Sequence, residues 1–116
     1  MSVVIYHNPR CSKSRQTLEV LQENGVQPEV IKYLETPLTV EQLKVLFTQL
    51  GFESVRDMMR TKEADYKEAN LSDASVTDEV LFAAMATNPK LFERPVVVAN
   101  NKAKIGRPPE QVLEIL

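Results

Sequence analysis

Apolar residues in the first third of the chain form two short runs separated by a helical stretch. Residues 3–6 are apolar and rich in β-branched side chains, which predicts a buried strand. Leu18 and Leu21 then follow at a helical spacing, and Gly25 suits the position just past a helix C-terminus. Residues 30–34 predict a second strand. A strand, a helix and a strand in this order predict parallel strands joined by a right-handed crossover.

The middle of the chain carries a helical pattern. Thr39 and Gln42 form a capping-box signature before a helix with one apolar face, and Gly51 ends that helix. Residues 52–59 predict a short helix directly after it. Thr77 is expected to cap a further helix with a buried apolar stripe. The predicted stripe consists of Val80, Leu81, Ala84 and Met85.

The last quarter of the chain begins with its strongest strand signal, at residues 95–99. Asn100 and Asn101 follow, and asparagine tolerates the positive φ angles of a tight hairpin. Residues 103–106 are therefore expected to pair back as an antiparallel strand, and Pro108 then opens a final helix. The predicted order is β-α-β, a helical block, and β-β-α, which is an α/β arrangement.

Composition agrees with one small domain. The chain has 116 residues, 43% of them apolar and 26% charged, so residues 1–116 are expected to form a single domain. The formal net charge of −2 argues against a general nucleic-acid binder. No stretch is long enough to span a membrane, and no signal peptide is evident, so a cytoplasmic location is expected.

The chain has one cysteine, Cys11, and one histidine, His7. A single thiol cannot form an internal disulfide, which excludes a disulfide-stapled scaffold. Two such residues also cannot supply the four ligands of a structural zinc site, so no metal is expected. An unpaired cysteine favours a reducing compartment.

Cys11 lies between the first predicted strand and the first predicted helix. Backbone N–H groups and the helix dipole at such a position stabilise negative charge, so they lower the pKa of a thiol and can hold an oxyanion. Arg10, Lys13 and Arg15 add positive charge, and His7 lies four residues before the thiol. We therefore predict a reactive thiolate at Cys11 rather than an inert buried cysteine.

Several known motifs do not fit the spacing around this thiol. A phosphatase-type loop has an arginine six positions after the cysteine, where this chain has Thr17. None of the glycines precedes a Lys-Ser/Thr pair as a Walker A loop requires. Ser14 occupies the second cysteine position of a Cys-x-x-Cys dithiol. Any redox turnover at Cys11 must therefore use a thiol from another molecule.

Residues 7–14, His-Asn-Pro-Arg-Cys-Ser-Lys-Ser, resemble the active-site loop of the glutaredoxin-linked arsenate reductases. The resemblance covers residues 3–116 and is carried by four further segments. These are residues 33–37, 59–60, 93–98 and 106–109. The resemblance implies a thioredoxin-like fold, with a mixed four-stranded sheet and a helical insertion between the second and third strands. This fold agrees with the element order above.

The resemblance also implies the residues of a site. Cys11 matches the nucleophile that attacks arsenate, Ser14 a hydroxyl residue near the thiolate, and His7 a histidine that helps to keep it reactive. Pro95 matches a proline that is characteristically cis and faces the cysteine. The three arginines that surround the oxyanion in this family correspond to Arg60, Arg94 and Arg107.

The activity implied by the resemblance is reduction of arsenate to arsenite. The thiolate attacks arsenate, glutathione attacks the adduct, and glutaredoxin clears the mixed disulfide that remains on Cys11. The expected partners are arsenate or a similar oxyanion, glutathione as co-substrate, and glutaredoxin. No tightly bound cofactor, nucleic acid or membrane is expected.

Two other functions remain open on the sequence. Arg10 and Lys13 make the loop more basic than the resemblance leads one to expect, so a second hypothesis is a monothiol oxidoreductase that exchanges glutathione without reducing arsenate. A third is a redox-responsive regulator that binds RNA polymerase, against which the lack of a Cys-x-x-Cys switch argues. Arg60 also has a simpler interpretation, as an exposed helix residue four positions after Arg56.

Overall fold

The computed structural model describes residues 2–116. Its strands are β1 (Val3–His7), β2 (Glu29–Lys32), β3 (Val96–Ala99) and β4 (Lys102–Ile105). Its α-helices are α1 (Ser12–Glu23), α2 (Val40–Leu50), α3 (Ala64–Glu68) and α4 (Asp78–Thr87). Shorter 3₁₀ helices span Val55–Met58, Pro89–Leu91 and Pro109–Ile115. The predicted order of β-α-β, helices and β-β-α is confirmed.

The last helix is 3₁₀ rather than α-helical. Its buried side chains, Pro109, Val112 and Ile115, recur every three residues. A 3₁₀ helix has three residues per turn, so this spacing puts all three on one face. Val112 and Ile115 belong to the core that covers the sheet.

The four strands form one mixed sheet in the order β2-β1-β3-β4. β1 pairs in parallel with β2, so that His7 lies beside Lys32. β1 pairs antiparallel with β3, and β3 pairs antiparallel with β4. The predicted parallel pair and the predicted hairpin are therefore both present. β1 is thus a central strand. Its C-terminal end at His7 leads directly into the loop that carries Cys11.

The second strand begins one residue earlier and ends two residues earlier than predicted, running over Glu29–Lys32 rather than residues 30–34. The N–H groups of Glu35 and Thr36 both donate to the Lys32 carbonyl, so the chain turns where the strand ends. This turn lies next to the loop after β1, because β1 and β2 are parallel neighbours.

The hairpin turn between β3 and β4 is formed by Asn100 and Asn101, with φ angles of 54° and 63°. Two successive positive φ angles define the tight turn that asparagine was predicted to allow. Pairing resumes at Lys102 and ends at Ile105, one residue before the predicted bounds at each end. Gly106 thus lies just past the strand.

The chain divides into two compact units. One consists of the residues up to Thr36 together with Arg94–Leu116, and the other of Pro37–Glu93. The first unit contains the sheet, and the centre of its core includes the fully buried Ile5 and Leu21. The expectation that the whole chain is one domain stays a prediction.

The second unit contains the helical insertion. The capping box predicted at the start of α2 is present, because Thr39 Oγ1 accepts from the Gln42 N–H and Gln42 Oε1 accepts from the Thr39 N–H. Gly51 ends α2 with a φ of 73°. Thr77 caps α4 as predicted, with its hydroxyl accepting from the Val80 N–H.

The predicted buried stripe of α4 is wrong at its first position. Val80 is 49% exposed, whereas Phe82 is buried. The buried face is centred on Leu81 and Met85, four residues apart, and Phe82 flanks it and packs edge-to-face on Phe47 of α2. Across residues 2–116, every helix is too short or too polar to cross a membrane.

Candidate active site

The loop between β1 and α1 puts Cys11 at the N-cap of α1, as predicted. The Cys11 N–H donates to the Asn8 carbonyl at 3.0 Å, and the Cys11 carbonyl accepts from the Arg15 N–H at 3.0 Å. Asn8 also accepts from the Arg10 N–H through Oδ1 at 3.0 Å. A turn on one side and the helix on the other therefore hold a thiol that stays partly exposed.

The pKa of the Cys11 thiol lies below its usual value. Burial is the largest single influence and by itself raises this pKa. The backbone N–H of Ser14, the charge of Arg94, the backbone N–H of Lys13 and the charge of Arg107 together outweigh burial. The predicted thiolate is thus favoured by the two causes expected at a helix N-terminus, N–H donors and nearby cations.

Arg94 and Arg107 reach the thiol from the hairpin formed by β3 and β4. Arg94 precedes β3 and Arg107 follows β4, and the antiparallel pairing brings these two ends together. Arg107 Nε donates to the Arg94 carbonyl at 2.9 Å, and Arg107 Nη2 lies 3.9 Å from Cys11 Sγ. Two of the three arginines implied by the resemblance are therefore gathered around Cys11.

Pro95 is buried, and its peptide bond with Arg94 is cis, as the resemblance implied. The bond between Arg107 and Pro108 is also cis, which the sequence did not indicate. Both bonds directly follow an arginine of the site. Each of these two arginines is thus followed in sequence by a cis proline.

Arg60 belongs to the unit Pro37–Glu93, where its Nη1 pairs with Glu63 Oε2 at 3.1 Å. Its role at an oxyanion stays a prediction. Arg56 does not line an open helix face, because its guanidinium donates to the Leu71 carbonyl at 2.8 Å and 3.2 Å. The simpler interpretation, in which both arginines line one exposed helix face, is therefore wrong, since the helix Val55–Met58 also ends before Arg60.

His7 and Ser14 form a buried pair behind the loop, with Nδ1 of His7 lying 2.6 Å from Ser14 Oγ. Ser14 Oγ also accepts from the Asn8 N–H at 3.0 Å. The pKa of His7 is lowered by burial first, and then by the charges of Lys32 and Arg15. A neutral imidazole thus anchors the Ser14 hydroxyl, while the backbone N–H of Ser14 is one of the groups that lower the pKa of the thiol.

Gly106 and Thr17 help to position Arg107, although the sequence did not single them out. A Cβ on Gly106 would clash with Thr17 Oγ1 and lie 2.9 Å from Pro95 Cγ and 3.0 Å from Thr17 Cγ2. Thr17 is fully buried on α1 and donates to the Lys13 carbonyl at 2.8 Å. The absence of a side chain at Gly106 lets the end of β4 pack closely on α1, the helix that begins beside Cys11.

Gly106→Ala is expected to lower the free energy of unfolding by about 1–3 kcal/mol, the usual cost of an extra carbon in a packed site. Urea unfolding monitored by circular dichroism measures the loss. The double variant Thr17→Ala/Gly106→Ala should be less destabilised than the sum of the two single variants, because two of the three close contacts come from Thr17. Strictly additive losses would contradict this account.

Alkylation of Cys11 by iodoacetamide should reach half its maximal rate at a lower pH than alkylation of N-acetylcysteine. The reason is the lowered pKa of the thiol, which keeps the reactive thiolate populated as the pH falls. Arg107→Gln should move the midpoint upward, whereas Lys102→Gln, at the other end of β4, should not. A wild-type midpoint at or above that of N-acetylcysteine would disprove the lowered pKa of the Cys11 thiol.

This arrangement places a thiol of lowered pKa beside groups suited to binding an oxyanion. The thiolate lies at a helix N-terminus, and two guanidinium groups can offer paired donors to tetrahedral oxygens. Within the described residues, no group of three or more His, Cys, Asp or Glu side chains could hold a metal ion. The thiolate and the two guanidinium groups together are suited to attack of sulfur on an anionic centre.

The chain matches a known protein family over nearly its whole length. The model of the ArsC family matches residues 6–115. The chain belongs to the ArsC family. It is 63% identical to the uncharacterized protein YfgD of Escherichia coli (strain K12), over 98% of this chain and 96% of that protein. It is 50% identical to the arsenate reductase of Haemophilus influenzae over the full length of both.

Solved structures extend this relationship to three dimensions. An arsenate reductase from Vibrio cholerae matches with a TM-score of 0.99 and 65% identity, over 100% of this chain and 98% of that one. An ArsC-family-related protein from Bacteroides fragilis matches with a TM-score of 0.86 at 30% identity, over the whole of both chains. The predicted family and the thioredoxin-like fold with a helical insertion are therefore confirmed.

Proposed function

We propose that this ArsC-family protein is an arsenate reductase that uses Cys11 as its nucleophile. The observation that carries the proposal is the contact between Arg107 Nη2 and Cys11 Sγ, at 3.9 Å, at the start of a helix and beside Arg94. A thiolate and an anionic substrate repel each other unless cations neutralise their charges. The two guanidinium groups supply those cations. The name arsenate reductase on relatives from Haemophilus influenzae and Vibrio cholerae supports arsenate as that substrate.

In the first step, the Cys11 thiolate attacks the arsenic atom. A sulfur–arsenic bond forms, one arsenic–oxygen bond breaks, and the oxygen leaves as water after taking up protons. Arg94 and Arg107 hold the remaining oxygens, and Arg60 is proposed as the third arginine on the strength of the family resemblance. His7 acts as a positioning residue, because its bond to the Ser14 hydroxyl fixes the first turn of α1 around the thiolate.

In the second step, glutathione supplies the other thiol, since Cys11 is the single cysteine of the chain. The glutathione sulfur attacks the adduct, and the two sulfurs together give up two electrons to arsenic, which leaves as arsenite. Cys11 remains in a mixed disulfide with glutathione. A glutaredoxin thiolate then attacks the glutathione sulfur and releases Cys11 as a thiolate. This cycle needs no tightly bound cofactor and requires a reducing compartment such as the cytoplasm.

A second candidate function is glutathione exchange without arsenate. The observation that favours it is the exposed Arg10 directly before the thiol, which adds positive charge outside the Arg94 and Arg107 pair. An anionic thiol such as glutathione fits that charge as well as arsenate does. In this function Cys11 would exchange disulfides with glutathionylated partners.

A coupled assay separates the two functions. The wild-type protein is given arsenate, glutathione, glutaredoxin, glutathione reductase and NADPH, and arsenite is measured directly. Arsenite release that stops when either glutathione or glutaredoxin is omitted supports the proposal. Removal of glutathione from a mixed disulfide substrate, together with no arsenite release, would overturn it in favour of the second function.

A further inference from the structure

A cavity of about 350 Å³ lies beside the active-site loop, on the β2 side of β1. Residues 7–10 form one wall, and Lys32, at the end of β2, forms the other together with Leu34 and Glu35 from the turn that follows. The two walls meet because His7 and Lys32 are paired across the parallel strands. The guanidinium groups near Cys11 come instead from the β3–β4 hairpin, on the opposite side of β1.

The position of this cavity suits a second reactant at the thiol. Arg10 lines the cavity and directly precedes Cys11, so the two Cα atoms are about 3.8 Å apart. An extended tripeptide spans roughly 10 Å, and cavities of about 300–1,000 Å³ typically hold small ligands. A tripeptide thiol in the cavity could therefore bring its sulfur to Cys11 while an oxyanion occupies the arginine side.

The charges around the cavity match those of glutathione. Arg10 and Lys32 are exposed cations, and Glu35 is an exposed anion on the same rim. Glutathione carries two carboxylates and one ammonium group near neutral pH. Leu34 also lines the cavity and, being 41% exposed, offers an apolar surface there. The lowered pKa of His7, to which Lys32 contributes, agrees with a Lys32 ammonium close to the loop.

We propose that this cavity binds glutathione, with Arg10 and Lys32 binding its carboxylates and Glu35 binding its ammonium group. The assignment rests on the proposed function, because that function requires an outside thiol at Cys11. The cavity assignment also predicts a reaction that can be measured in the absence of arsenate. The Cys11 thiolate attacks one sulfur of oxidised glutathione, the disulfide bond breaks, a Cys11–glutathione disulfide forms, and the other glutathione leaves as a thiolate.

The test compares three disulfides of different charge as substrates for Cys11. Oxidised glutathione is anionic, cystamine is cationic, and bis(2-hydroxyethyl) disulfide is neutral and reports the intrinsic reactivity of the thiolate. Relative to the neutral disulfide, Lys32→Glu should slow the reaction with oxidised glutathione about tenfold and accelerate the reaction with cystamine. Lys102→Glu carries the same charge change at the other end of the sheet unit and should leave both ratios unchanged.

The outcomes distinguish this inference from the proposed function. Equal slowing of all three disulfides, or the same change in Lys102→Glu, would overturn the cavity assignment. In the coupled assay, Lys32→Glu should raise the KM for glutathione and leave the KM for arsenate unchanged. An unchanged KM for glutathione alongside normal arsenite release would overturn the cavity assignment and leave the proposed function standing. Charge selectivity among the disulfides without arsenite release would support the cavity while overturning arsenate reduction.

Discussion

Replacement of Cys11 by serine is expected to abolish arsenite release while the protein stays folded. A serine hydroxyl does not ionise near neutral pH, and it cannot form the disulfide that carries electrons to arsenic. The rate should fall by roughly a thousandfold or more, as for other enzymes that lose their nucleophile. The coupled assay with direct measurement of arsenite tests this expectation.

The fold should survive this change because Cys11 is held through its backbone. Its N–H and carbonyl bond to Asn8 and Arg15, and serine is a favoured N-cap residue. Urea unfolding should therefore give a midpoint equal to or above that of the wild type. Ser12→Ala, which removes a neighbouring exposed hydroxyl and keeps the thiol, should retain turnover. Arsenite release by Cys11→Ser at more than a trace would disprove the nucleophile.

Substitution of Arg107 is expected to have the next largest effect. Arg107→Gln should lower kcat/KM for arsenate by about 10²–10³-fold, the usual loss when a donor to a developing oxyanion is removed. It should also raise the pKa of the Cys11 thiol, because one of the charges that lower it is gone. Steady-state kinetics and the alkylation midpoint measure the two effects separately.

Arg107→Lys separates charge from geometry at the same position. Lysine keeps the positive charge, so the alkylation midpoint should stay near that of the wild type. Lysine lacks the planar fork that binds two oxygens and the Nε donor that bonds the Arg94 carbonyl, so kcat/KM should still fall by at least about tenfold. Lys102→Gln serves as the control for loss of a distant charge. Full activity in Arg107→Lys would show that Arg107 contributes charge alone.

Local chemistry made much of the fold predictable. The capping box at Thr39 and the turn at Asn100 act within a few residues, so their sequence patterns are sufficient to indicate them. The wrong prediction at Val80 is instructive, because valine has the right hydrophobicity for a core position. Its exposure is decided by which face of α4 packs inward, and Leu81, Phe82 and Met85 are the residues buried there.

Short-range sequence features were enough to predict Cys11 as the nucleophile. Cys11 lies between a strand and a helix, with basic neighbours and no second cysteine, and each of these features acts over short range. The resemblance to a family added the remote arginines, but no local pattern could bring them to the thiol. All three arginines lie far from Cys11 in sequence, and their roles at an oxyanion stay predictions.

Residues distant in sequence meet near the thiol because of how the strands pair and pack. The antiparallel register of β3 and β4 brings Arg94 and Arg107 together, and the missing side chain at Gly106 lets that hairpin end lie against α1. The parallel register of β1 and β2 sets Lys32 beside His7 and opens the cavity next to the loop. Strand pairing and close packing join residues far apart in sequence, whereas helix starts, caps and turns depend on neighbours a few residues away.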